Sequence, residues 1–286
     1  MSFPSKIGVI DLMMQIPGQD NRPWYEFMRP LFMDEASRNY SKMPAEHLFK
    51  NVPDLAPQDD WYAYTVQKMD QFGIAKAMVG VNHPEGREAI RRYPERFFGS
   101  YHADPNRGMD EVRELVKMKA ELNIKAVTAF PSGLVPQVPI DDKRWYPIYA
   151  KCIELDLPFC CTVGVPGPRI PMAPQKVELI DEVCWFFPEL RFVMRHGAEP
   201  WVDLAVKLML KYPNLSYMTS AFAPKHYPKE IVDFANTRGE RQVMYAGYWP
   251  MGLSLERIFA ELPGVPFRDH VWPRFLRDNA LEIFRP

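Results

Sequence analysis

The chain is short of cysteine, of any basic stripe and of long apolar runs, and each shortage removes a class of protein. The four cysteines are Cys152, Cys160, Cys161 and Cys184, and no two are spaced as C-x-x-C. Adjacent Cys160 and Cys161 would point to opposite faces of a strand, so all four read as reduced, mostly buried thiols. Net charge is −1 and the lysines and arginines are scattered, which argues against nucleic acid as a partner. No apolar stretch reaches the roughly 18 residues that a membrane helix needs, so no membrane span is expected. The first six residues, Met1 to Lys6, hold no apolar signal core, so a cytoplasmic location is the expectation. No H-x-H spacing occurs.

What is present is ordinary for a globular chain. Of 286 residues, 47% are hydrophobic and 25% are charged. That length suits one large α/β barrel or two small domains and can bury a core without covalent staples. Eight short apolar, β-branched or aromatic runs stand out: Lys6–Leu12, Ala75–Val81, Arg96–His102, Ile124–Phe130, Pro158–Val163, Arg191–His196, Leu215–Ser220 and Gln242–Tyr248. Helical spacing of apolar residues fills most of the gaps, over Asp60–Phe72, Met109–Leu122, Lys143–Leu155, Pro174–Phe187, Pro200–Tyr212, Pro224–Arg238 and Ser254–Leu262, with a shorter helix-compatible piece at Pro84–Tyr93. Eight alternations of strand and helix predict a single (β/α)₈ barrel over residues 1–286. A final helix, Val271–Phe284, is expected on the outside of it.

One interval breaks the rhythm. About fifty residues, Met13–Asp60, separate the first strand from the first regular helix, and they carry Trp24, Tyr25, Phe27, Phe32, Tyr40 and Phe49. Insertions this long inside a compact domain are usually functional or carry their own structure. It follows the carboxyl end of strand one, where barrel active sites lie. It reads either as extra helices or an oligomer contact, or as a lid over a mostly apolar pocket.

The run Pro188-Glu189-Leu190-Arg191-Phe192-Val193-Met194-Arg195-His196-Gly197, followed by Lys211-Tyr212-Pro213-Asn214-Leu215, is the most distinctive stretch. With Ile10-Asp11, Leu157-Pro158, Tyr245-Ala246-Gly247-Tyr248-Trp249-Pro250 and Asp278-Asn279-Ala280, it resembles the amidohydrolase-related barrels. That group includes aminocarboxymuconate semialdehyde decarboxylase, the resorcylate decarboxylases and the pyrone-dicarboxylate lactonase. The resemblance implies a metal site built from Asp-x-His-x-His on strand one, histidines on strands five and six, and an aspartate on strand eight. In the same frame this chain reads Asp11-Leu12-Met13-Met14-Gln15, Thr162 and Tyr248, and only His196 keeps its type. Zinc wants three or four N, O or S ligands, so the frame predicts a barrel with no catalytic metal and no other cofactor. The resemblance also implies a small carboxylated aromatic, enol or lactone substrate, and a possible homodimer.

If His196 faces the mouth, side-chain alternation places Met194 and Phe192 inward with it, Asp11 and Met13 on strand one, Thr162 and Cys160 on strand five, and Tyr248, Ala246 and Met244 on strand eight. Candidate catalytic residues are then His196 as base or acid, Asp11 to orient it, and Tyr248 or Thr162 to steady negative charge. Candidate substrate contacts are Met13, Gln15, His102, Thr128, Arg169 and Trp249. Arg195 would point away from the axis and be structural. His47, His83, His226 and His270 read as exposed. Three functions follow: a metal-independent hydrolase or carbon–carbon lyase, a binding protein that has lost the chemistry, and a conventional zinc hydrolase drawing ligands from His102, His196, Glu26, Asp34 and Glu35.

Overall fold

The structure is a computed structural model that describes Pro4 and residues 7–286. Lys6, the start of the first expected run, and the Met1–Lys6 leader apart from Pro4 lie outside the described residues. Eight parallel strands pair in sequence order: β1 (Val9–Asp11), β2 (Ile74–Gly80), β3 (Phe97–His102), β4 (Ala126–Ala129), β5 (Phe159–Thr162), β6 (Phe192–Arg195), β7 (Leu215–Met218) and β8 (Val243–Met244). One parallel bridge, Met14 with Trp249, brings the segment after β1 against the segment after β8, and the Gln15 amide donates to the Trp249 carbonyl at 3.3 Å. The expected α/β barrel is therefore present, each expected run holding one strand. No helix among the described residues is long and apolar enough to cross a membrane.

The strands are buried on both faces, so their sequences are continuously apolar rather than alternating. Ile10, Leu12, Met78, Phe98, Ala126, Cys160, Val193, Met218, Met244 and Ala246 fill the barrel interior. Val9, Phe159, Phe192, Met194 and Tyr217 face the surrounding helices. The final helix keeps its expected place over its first half, where Val271, Trp272, Phe275 and Leu276 pack in the outer layer. Its second half departs from it: Ala280 and Phe284 belong to the interior cluster, with the Phe284 ring 6.4 Å from Phe98.

The insertion has its own structure: a 3₁₀ segment Arg22–Leu31, a helical turn Glu35–Arg38 and a second 3₁₀ turn Glu46–Leu48. Asp34 caps the helical turn by accepting from the Ser37 amide at 2.9 Å, supplying a partner the turn's own backbone lacks. Met28, Phe32 and Tyr40 form a small separate cluster with Ile170 of the loop after β5. The regular helix Trp61–Gln71 begins only at Asp60, whose carboxylate caps it and pairs with Arg92.

Candidate active site

The carboxyl ends of the strands open into one cavity of about 1500 Å³, walled on one side by the insertion and on the other by the loops after β5 to β8. Its chemistry is set by how β6 stops. The strand ends at Arg195, and His196, Gly197 and Ala198 then turn through positive φ values of 69°, 93° and 63°. A β-carbon at Gly197 would lie 2.3 Å from the Phe222 ring, so glycine is required there on two counts. Non-glycine residues held in this region are costly and concentrate where a site fixes them.

Because the strand ends one residue early, Val193 and Arg195 face inward, while Phe192 and Met194 face the helices. That corrects the expected parity of β6. Arg195 is a cavity-wall residue, not an outward structural one. Its Nε and Nη2 donate to His196 Nε2 at 3.2 and 3.1 Å. Burial lowers its pKa and no carboxylate contributes to its surroundings, yet an arginine stays charged in a protein. Among the described residues it has no carboxylate counter-ion, and it faces the cavity.

His196 lines the same wall. Its backbone amide donates to Ser220 Oγ at 3.2 Å. Burial, then the Arg195 charge, hold the ring well below its ordinary pKa, so it is neutral. Since Nε2 accepts from Arg195, the ring proton sits on Nδ1, which has no partner among the described residues. Tyr248 stands edge-on to His196 at 5.7 Å and stacks on Phe49 of the insertion at 5.5 Å. Burial pushes its hydroxyl up to about 12, so it keeps its proton and can donate. Thr162, at the end of β5, is buried in the same wall.

His102 and Thr128 meet on the β3–β4 side, with Thr128 Oγ1 3.4 Å from His102 Nδ1. Burial and the Arg195 charge push His102 down to about 3, so it too is neutral. Phe27 of the insertion covers it, ring to ring at 5.4 Å. Met13 and Gln15 reach the cavity as expected, the Gln15 side-chain oxygen accepting from the Gly80 amide at 3.4 Å. Arg169 is also at the wall, but it is engaged by Asp34 of the insertion at 3.2 Å. His47, His83 and His226 sit around the rim.

Two candidates are not where the sequence put them. Asp11 is fully buried behind the cavity wall, facing out of the barrel. Its Oδ1 accepts from the amides of Met13 at 2.9 Å and Gly247 at 2.8 Å. Burial raises its pKa to about 7, against the pull of those two amides and of the Tyr245 hydroxyl alongside. It fastens the turn after β1 to the turn after β8 and touches neither His196 nor the cavity. Trp249 is also behind the wall, 1% exposed, and packs toward Tyr64 at 6.4 Å. Arg195, set aside in the sequence as outward and structural, is the residue whose place the strand parity misjudged. A lone arginine closing a buried apolar run was its signal.

The amidohydrolase family profile matches residues 22–285. The chain belongs to the amidohydrolase family. No curated protein matches it significantly. Among solved structures, this amidohydrolase is similar to an uncharacterized TIM-barrel protein from Bordetella bronchiseptica, with 19% identity, TM-score 0.74, and 97% of this chain and 98% of that chain covered. It is also similar to the 5-carboxyvanillate decarboxylase of Novosphingobium aromaticivorans, determined with manganese and a nitrobenzoic acid (16% identity, TM-score 0.67, all of both chains). A third is a probable 2-pyrone-4,6-dicarboxylic acid hydrolase from Acinetobacter baumannii with citric acid bound (13% identity, TM-score 0.66, 98% of this chain and 100% of that one). At these identities the likeness is one of fold.

The residues of this amidohydrolase do not fit a divalent metal. The frame positions offer a thioether (Met13), an amide already bonded to Gly80, a hydroxyl (Thr162) and a protonated phenol (Tyr248). His196 turns its basic nitrogen to a guanidinium. Zinc takes carboxylates, imidazoles or thiolates, harder divalent ions take oxygen ligands above all, and a fixed cation repels either. The alternative zinc set does not assemble either. Glu26 pairs with Arg29, and Asp34 is held by Ser37 and Arg169. Among the described residues no three His, Cys, Asp or Glu side chains converge.

Proposed function

We propose that this amidohydrolase hydrolyses an ester or lactone bond in a carboxylated aromatic or enol substrate, and does so without a divalent metal. One observation carries the reading: Arg195 is a cavity-facing guanidinium with no carboxylate partner, resting on the neutral His196 ring. A buried, uncompensated charge is expensive, and a substrate carboxylate supplies the missing partner through a two-point contact.

The same contact prepares the base. When Arg195 turns to the substrate carboxylate, His196 Nε2 is released. The neutral imidazole then takes a proton from water as the water oxygen attacks the ester carbonyl. Tyr248 and Thr162 donate hydrogen bonds to the oxygen that becomes negative. The imidazolium returns its proton to the departing alkoxide or enolate, giving an acid and an alcohol or enol. A neutral histidine suits this role as base and offers no acid for protonating a ring carbon, which favours hydrolysis over decarboxylation.

The binding-protein reading rests on the opposite face of that geometry, since in the resting arrangement the basic nitrogen of His196 is occupied. Turnover decides between them. Purified protein is offered carboxylated 2-pyrones and aryl esters, and ring opening is followed by absorbance. Hydrolysis that disappears in His196→Ala supports the enzyme. Tight binding with no product from any of them supports the binding protein.

A further inference from the structure

Building on the proposed carboxylate site, we infer that the substrate is a large amphipathic carboxylate, with its acid group at Arg195 and a long or polycyclic apolar body lying along the rest of the cavity. Three observations converge. The first is size: about 1500 Å³, against 300–1,000 Å³ for typical small-molecule sites. A one-ring acid at Arg195 would leave most of that space to water against apolar walls.

The second is composition. Arg195, His196, Thr162 and Tyr248 lie at the ends of β5, β6 and β8. The rest of the lining is mostly apolar but includes polar residues such as Gln15, Asn82, Glu199 and Arg257. It is rich in methionine, with Met13, Met28, Met33, Met43, Met78 and Met251 all part of it. Unbranched, polarizable thioethers fit irregular hydrophobic shapes without demanding one. Such a wall suits an extended body better than a rigid single ring.

The third is the rim. Phe27, Met33, Leu48 and Val165 are 44%, 79%, 62% and 55% exposed, and all four border this cavity. Three belong to the insertion and one to the loop after β5. Large apolar residues clustered at a cavity mouth mark a surface that meets something apolar. The apolar body of the substrate extends to the rim and covers them.

The test is calorimetric binding to the intact chain. The probes are saturated carboxylates from six to twelve carbons, the matching alcohols, benzoate and 1-pyrenecarboxylate, all below their micelle concentrations. Affinity is expected to rise about fourfold per added methylene, and pyrenecarboxylate should bind at least tenfold tighter than benzoate. Leu31→Asp should abolish most of the chain-length gain, because Leu31 lines the apolar wall. Arg195→Met should remove the preference for acids over alcohols at every length. If affinity is flat or falls with chain length while acids still bind through Arg195, the size inference is overturned and the carboxylate site stands. If acids and alcohols bind alike, and Arg195→Met changes neither, the carboxylate site itself is overturned and the inference goes with it.

Discussion

Asp11 and Arg195 are two ionisable side chains at the top of this barrel, one fully buried and one lining the cavity, and the structure treats them in opposite ways. Asp11 lies behind the cavity wall, and two backbone amides point at one of its oxygens. Burial still wins over those amides and lifts its pKa to about 7, so near neutrality it can shed its charge. Arg195 cannot shed its charge, and among the described residues its side chain's hydrogen-bond partner is a neutral ring. A buried group that can neutralise itself is suited to structure. One that cannot, and that faces open space, is suited to an anion brought from outside.

The contrast breaks most sharply at His196, the ring that occupies Arg195 at rest. His196→Ala should reduce kcat/KM by two to four orders of magnitude, measured on whichever ester or lactone the wild type opens, and an unchanged rate removes His196 from the mechanism. Arg195→Met should raise KM for carboxylated substrates by about 30- to 1,000-fold and leave KM for the matching neutral esters nearly unchanged. A similar loss for both would make Arg195 structural.

The third prediction concerns Asp11. An unfolded aspartate releases its proton near pH 4, whereas folded Asp11 holds it to about 7. Folding therefore takes up a proton between those values, and stability falls as pH rises through the window, by about 4 kcal/mol once above it. Asp11→Asn keeps the acceptor for Met13 and Gly247 and removes the charge. Its denaturation midpoint should exceed that of the wild type at pH 8 but not at pH 4, with kcat/KM changed less than threefold. A large activity loss would return Asp11 to the chemistry.

The fourth and smallest effects are two expected constancies. With His196 held neutral well below pH 6.5, kcat/KM should stay level as pH falls from 8 through 6.5. A descending limb centred near 6.5 would show that Arg195 does not govern the ring. Dialysis against a chelator should leave activity unchanged. Its loss, with recovery on adding zinc or manganese, would mean that ligands from outside the frame positions hold a metal.

The fold was legible because eight buried runs separated by helical spacing have few other solutions. Which face each residue takes was not legible at β1 and β6. Strands covered on both sides lose the apolar–polar alternation that reveals orientation. Counting inward from His196 assumed that it belonged to β6, but its φ of 69° puts it past the end, and one residue of slip exchanges the faces. Asp11 was misplaced for a related reason, since Ile10 and Leu12 already fill the inside of β1. On β5 and β8 the alternation held, and Thr162 and Tyr248 are at the wall. Residues 13–60, which the sequence left open between added helices or an oligomer contact and a lid, supply short helical turns and part of the cavity wall.

Gly197 has a further consequence for how this protein can change over generations. A side chain there meets the Phe222 ring at 2.3 Å, and the backbone sits at a φ that other residues enter only at a cost. Shrinking Phe222 relieves the first obstacle and not the second. Substitution at 197 therefore asks the Phe222 ring to move aside and still leaves the backbone cost, so a smaller residue at 222 lowers the barrier to variants at 197 without removing it.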